Sequence, residues 1–226
     1  MPYLRGEVMM HTFLSLKEKQ REIRSGFSPE LGVRVHRCLS WLNRAEQASE
    51  DCDAAFIFFW ISFNAAYAEE INDGIIIGER SAFDGYFRKQ IELDTSNQIY
   101  DAIWEKFSDS IRLFIDNQYI FQPFWKFHNQ VEGYEDWMDR LDISKRRFNS
   151  ALARHDTRTI LSMLFDRLYV LRNQLVHGGA TWNSSVNRDQ VRDGARILGF
   201  LVPIFVDLMM DNPDVDWGLP YYPVVE

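Results

Sequence analysis

Arg172, Asn173 and His177 lie within six residues of one another in the segment DTRTILSMLFDRLYVLRNQLVHGGATW, residues 156–182. An imidazole exchanges protons near neutral pH, and a guanidinium donates forked hydrogen bonds to phosphate oxygens. Together they suit acid–base chemistry on a phosphodiester. His177 would be the general acid/base, Arg172 the clamp on the charge of the transition state, and Asn173 the residue that orients phosphate or 2′-hydroxyl. An α-helix turns about 100° per residue. Leu161, Leu164, Leu168, Leu171 and Leu175 then form one narrow stripe that must face a core. Asp166, Asn173 and His177 fall on the opposite side, within about 40° of one another. Asn173 and His177 are i and i+4 neighbours, and Arg172 sits at the edge of the leucine stripe. A second reading of His177, compatible with the first, is a cap on the helix C-terminus before Gly178-Gly179.

Other constellations carry less. The histidines His11, His36, His128, His155 and His177 share no HxxxH or HExxH spacing, and Cys38 and Cys52 form no CxxC, so no metal site and no cofactor is expected. Gly178-Gly179 lacks a following GK[ST], and no GxSxG occurs. Lys145-Arg146-Arg147 is the candidate phosphate-contact patch, with a solvated helix face as the equal alternative. His155, between Arg154 and Arg158, reads first as a helix-end surface residue and second as an RNA contact. Asn64 lies in an otherwise apolar helix and needs partners, either structural or in support of the motif.

The elements that must position these residues are helical throughout. Alternating strand patterns are nearly absent, and helical spacing dominates. Ser28-Pro29-Glu30 opens a helix to about Ser49. A second runs from Glu50 to about Ile71, apolar on almost every side in AAFIFFWISFNAAYA and ended by Asn72-Asp73-Gly74. Ile75-Ile76-Ile77-Gly78 reads as a loop. Helices follow at about 79–92 and 95–117, then an irregular aromatic stretch at 118–133, then helices at 134–153, 157–177 and 187–211. Pro203 should kink or break the last one. Residues 212–226 read as an extended arm. The expected class is all-α: one up-and-down bundle over 1–226, with an insertion at about 72–130.

LRNQLVHGG, at the end of one helix and followed by another, resembles the Arg-x(4–6)-His signature of the HEPN superfamily. FFWISFNAAYA is similar to the aromatic-rich second helix of its Apea-like members, with Trp60, Phe63, Asn64 and Tyr67 on the W-x-x-F-N-x-x-Y pattern. The resemblance covers about half of the chain. It implies a helical bundle that dimerises so that two Arg/His motifs line one cleft. It also implies metal-independent cleavage of single-stranded RNA to 2′,3′-cyclic phosphate ends, in toxins or antiviral effectors. On that reading Arg172, Asn173 and His177 are catalytic, and Lys145, Arg146, Arg147 and Asp166 meet substrate. Asn64 and Tyr169 are supporting residues. Asp166 would tune His177 or act across the dimer. Members without activity serve as dimerisation, partner-binding or nucleotide-binding modules, and that is the rival reading.

Charge separates the two weakly. The chain carries a net −8 and a pI near 5.2, which argues against a general nucleic-acid coat. Residues 140–200 nevertheless hold eleven Lys and Arg against five Asp and Glu. The motif therefore falls in the net-basic part of an acidic chain. The opening MPYLRGEVMMHTFL lacks an apolar core and a small-residue cleavage site, and the apolar runs 54–61 and 197–206 are too short to span a bilayer. The expectation is a cytoplasmic protein with free thiols, a second copy of itself, RNA, and a cognate antitoxin or regulator as partners, and no membrane.

Overall fold

The computed structural model describes residues 11–68, 79–222 and 224. Those residues form ten α-helices and no β-strand, so the chain is all-α. The chain divides into two compact units, one of residues 1–99 with 183–226, the other of residues 100–182. The expected insertion at 72–130 does not coincide with this division. The inserted unit includes the motif helix.

The first unit is built on α2 (Pro29–Gln47), α3 (Cys52–Tyr67) and α10 (Arg188–Asp211), with α1 (Phe13–Ile23) and α4 (Glu79–Leu93) against them. Local chemistry sets the helix starts. Thr12 and Ser15 form a reciprocal capping box at α1, Ser28 caps α2 with Pro29 at its first position, and Asp51 caps α3. Cys38 pairs with Ser62, while Trp41 and Arg44 meet Phe58, so α2 and α3 run antiparallel. The centre of α3 is buried as its composition requires: Phe56, Phe59, Trp60 and Phe63 are at most 2% exposed. Each such side chain contributes about 1.5–3 kcal/mol of burial free energy.

Three expectations change here. Helix α1, ahead of Ser28, was not foreseen, because its sequence FLSLKEKQREI buries only Leu16 and Gln20. Helix α3 ends at Tyr67; the expected stop at Asn72-Asp73-Gly74 and the loop Ile75–Gly78 lie outside the described residues. Pro203 does not break α10, which runs on with residues 201–210 all buried. Packing of that length of helix outweighs the one hydrogen bond proline removes. Cys38 and Cys52 are free thiols, and burial pushes Cys38 up to about 12.

The second unit centres on α9 (Thr157–Val176), flanked by α8 (Trp137–Ala153) and α6 (Ser108–Asp116). The expected helix at 95–117 is three pieces: α5 (Gln98–Asp101), a π-helical turn (Ala102–Lys106) and α6. The stretch expected to be irregular holds a short α7 (Gln122–His128), whose Phe124 joins Phe121, Leu141 and Trp137 in a small core cluster. Among the described residues no helix is long and apolar enough to cross a membrane.

Candidate functional site

Helix α9 carries the motif, and its N-terminus is firmly set. Asp156 accepts from the Thr159 amide at 3.0 Å and from its hydroxyl at 2.7 Å. Leu161, Leu164, Leu168 and Leu171 are fully buried, as the stripe demands. Leu175, the fifth, is only half-buried, because the helix is leaving its cover. The buried face is wider than the stripe. Ile160, Met163, Phe165, Arg167 and Val170 are buried as well, and Arg167 donates to the Ile115 carbonyl and to Ser144 Oγ, both at 3.2 Å.

The polar face is correspondingly narrower than the sequence implies. Ser162, Asp166, Tyr169, Arg172 and Asn173 are half-buried, and α9 opens to solvent at Arg158 in its first turn and again at its end, from Val176 onward. His177 is exposed and is the C-cap. Its amide donates to the Asn173 carbonyl at 3.0 Å. Gly178 follows at φ +71°, the left-handed position that closes helices and favours glycine. His177 thus caps the helix C-terminus and is exposed. The Arg172 guanidinium lies over the Tyr169 ring, 4.7 Å from its centroid. The Asn173 side-chain oxygen is buried with no hydrogen-bond partner. Such a group costs about 1–3 kcal/mol unless something fills its valence.

The remaining candidates scatter. Asp166 precedes His177 by eleven residues, about 16 Å along the axis, beyond hydrogen-bond reach within one chain. Lys145 turns toward α6 and pairs with Asp116 at 3.7 Å, while Arg146 and Arg147 are exposed. Asn64 belongs to the first unit. Its side-chain oxygen is also buried without a partner. Around it Trp60, Phe63 and Tyr67 stack with Phe83, Tyr86, Phe87 and Phe205, so the aromatic pattern of α3 builds core. Among the described residues no group of three or more His, Cys, Asp and Glu side chains converges as a metal-ligand set. Two clefts of about 340 and 430 Å³ open in the first unit, and no motif residue lines either.

Two groupings had no signal in the sequence. Asp53 accepts from Arg188 and from the Asn183 amide, both at 2.9 Å. Tyr100, Trp104 and His155 stack on one another in the second unit. Asp53 lies 130 or more residues from its two partners and His155 lies 51 and 55 residues from Trp104 and Tyr100, so no spacing rule joins them. Comparison with known protein families, curated proteins and solved structures returns no match.

Proposed function

We propose that this chain is a metal-independent endoribonuclease of the HEPN type, acting as a homodimer on single-stranded RNA. The observation that carries the reading is the accessible end of α9, where an exposed His177 follows Arg172 and Asn173 within two turns. In this chemistry the 2′-hydroxyl loses its proton to an imidazole and its oxygen bonds to the adjacent phosphorus. The bond from phosphorus to the 5′-oxygen breaks, and a second imidazole protonates that oxygen. The products are a 2′,3′-cyclic phosphate and a 5′-hydroxyl. Two copies of His177 supply the two imidazoles, which is why the active form is a dimer. Arg172 holds a non-bridging oxygen, and Asn173 orients the phosphate beside it. Val176 and Trp182, 54% and 74% exposed beside the motif, are apolar surface that a second copy would cover.

A toxin or antiviral effector held in check by a cognate regulator fits such an activity in the cytoplasm. The test is cleavage of single-stranded RNA in EDTA, with product ends analysed. Wild-type protein gives cyclic phosphate ends, and His177→Ala gives none, with unchanged helical circular dichroism and unchanged dimer mass. Cleavage that needs a divalent metal, or that survives His177→Ala, overturns the mechanism. A dimer that binds nucleotide or a partner protein but cuts no RNA would favour the non-catalytic reading, which the net charge of −8 suits.

A further inference from the structure

His155 stands where a glycine would be expected. Helix α8 closes with the His155 amide donating to Leu152 at 3.2 Å and the Asp156 amide to Ala151 at 2.9 Å. This closing pattern puts its left-handed residue at position 155, and His155 has φ +51°. A β-carbon is disfavoured there, although histidine tolerates the region better than most residues. What the chain gains is a side chain stacked on Trp104, with ring centroids 4.6 Å apart. The Tyr100 hydroxyl meets His155 Nδ1 at 3.0 Å, and the two rings are 13° from parallel. Trp104 is itself fixed, donating from Nε1 to Thr157 Oγ1 at 2.9 Å. The result is an aromatic tier with His155 exposed and Tyr100 and Trp104 half-buried.

Charge on the α8 side of the tier is mostly positive, although Asp156 follows His155 directly. Residues 143–155 contain Lys145, Arg146, Arg147 and Arg154 and no carboxylate. Arg146, Arg147 and Arg154 are exposed, and 147 and 154, seven apart, share one face of α8. Arg158 continues this cationic surface onto α9. The exposed carboxylates Asp101 and Glu105 belong to α5 and the π-helical turn, directly after Tyr100 and Trp104. Polyanion is therefore attracted along α8, and an aromatic tier terminates the path.

We propose that Tyr100, Trp104 and His155 are a stacking platform for one base of a single-stranded nucleic acid, whose phosphates follow Arg154 and Arg147 along α8. Stacking platforms beside cationic tracks are how unpaired strands are held without sequence readout. The proposal rests on the RNA-cleaving reading and deepens it. The 20-residue α9, about 30 Å long, lies between His155 and His177, so the platform would grip the strand away from the cut. Long substrates would depend on it and dinucleotides would not.

The test uses the full chain bearing His177→Ala, so that RNA stays intact, and a fluorescein-labelled 20-mer of uridine read by anisotropy. Adding His155→Gly is expected to weaken binding roughly tenfold, the value of one stacked base, while Tm stays level or rises because the left-handed strain is relieved. Arg147→Ala with Arg154→Ala is expected to weaken binding and flatten its salt dependence. Equal binding of a thymidine 20-mer supports the platform and shows that it reads the strand rather than the sugar. No binding of the uridine 20-mer, unchanged binding by His155→Gly, or equal affinity for duplex RNA of the same length overturns it. Should the platform fail, cleavage of a dinucleotide by protein with an intact His177 still stands. Should wild-type protein bind the 20-mer yet cut nothing, the nuclease reading fails and the platform remains.

Discussion

The Arg172 guanidinium lies over the Tyr169 ring at 4.7 Å from its centroid, three residues back along the same helix. A guanidinium on a long stem loses rotamer entropy whenever it binds a phosphate. A ring beneath it removes part of that cost in advance. Such a contact at a half-exposed site is worth about 0.5–1 kcal/mol. If the chain cuts RNA as proposed, Tyr169→Leu should therefore lower kcat/KM for that cleavage about two- to fivefold, and Tyr169→Phe should keep it near wild type. Arg172→Lys should lose far more, since an ammonium cannot donate in a fork. Steady-state kinetics on one RNA checks all three, and wild-type activity in the Leu variant would show that the ring does not position Arg172.

Asp156 should make the motif helix sensitive to acid. Burial raises its carboxyl, but the two hydrogen bonds from Thr159 and the charges of Arg154 and Arg158 outweigh burial and hold it below the usual carboxylate range. A lowered folded value means the stabilisation is complete above the unfolded value, about 3.9, and is lost as pH falls through the folded one. Asp156→Ala should cost about 1 kcal/mol at pH 7, the usual worth of an N-cap. Asp156→Asn should keep most of the cap and lose the charge. The stability gap between wild type and the Asn variant should then narrow between pH 7 and pH 3 in urea titrations. A gap that is constant across that range would remove the carboxylate from the account.

Periodicity made the helices legible, because each long helix buries a face of its own making. Ser28-Pro29, the apolar centre of α3 and four of the five leucines of α9 behave as their spacing requires. Spacing within one helix cannot show what covers its other side. For that reason Asn173 was expected on an open polar face and is found half-buried, with its side-chain oxygen enclosed. Lys145, Arg146 and Arg147 read as one patch in sequence. On α8 they diverge, since Lys145 turns to Asp116 and only the arginines stay exposed. Pro203 does not break α10 for a related reason: its local penalty is set against the burial of residues 201–210 around it.

Gly199 offers a case where helix propensity and packing disagree. An added β-carbon would sit 2.9 Å from Phe59 Cζ and 3.0 Å from Cε2. Phe59 is fully buried and has nowhere to withdraw. Alanine is about 1 kcal/mol better than glycine inside a helix, but overpacking a tight core costs about 1–3 kcal/mol. Gly199→Ala should lower stability by chemical denaturation. Gly85→Ala in α4, where nothing lies within 4 Å of the new β-carbon, should raise it. A stabilised Gly199→Ala protein would mean that α10 and α3 can separate more easily than their contact suggests.

Arg34 ties the C-terminal arm to the first unit. It is 1% exposed and donates to four carbonyls: Ala66 at 3.1 Å, Ala68 at 2.8 Å, Gly218 at 3.3 Å and Leu219 at 2.8 Å. One planar fork thus satisfies the end of α3 and two residues of the arm together, a geometry that five fixed donors allow and an ammonium does not. Arg34→Met would keep the apolar stem and strand buried acceptors, each costing about 1–3 kcal/mol. The expected result is a marked fall in Tm, with the arm beyond Asp211 cut first in limited proteolysis. Arg34→Lys should recover only part of the loss. An arm that stays as resistant in the Met variant as in wild type would show that Trp217, 5% exposed and donating from Nε1 to the Asn212 carbonyl at 3.1 Å, anchors it without help from Arg34.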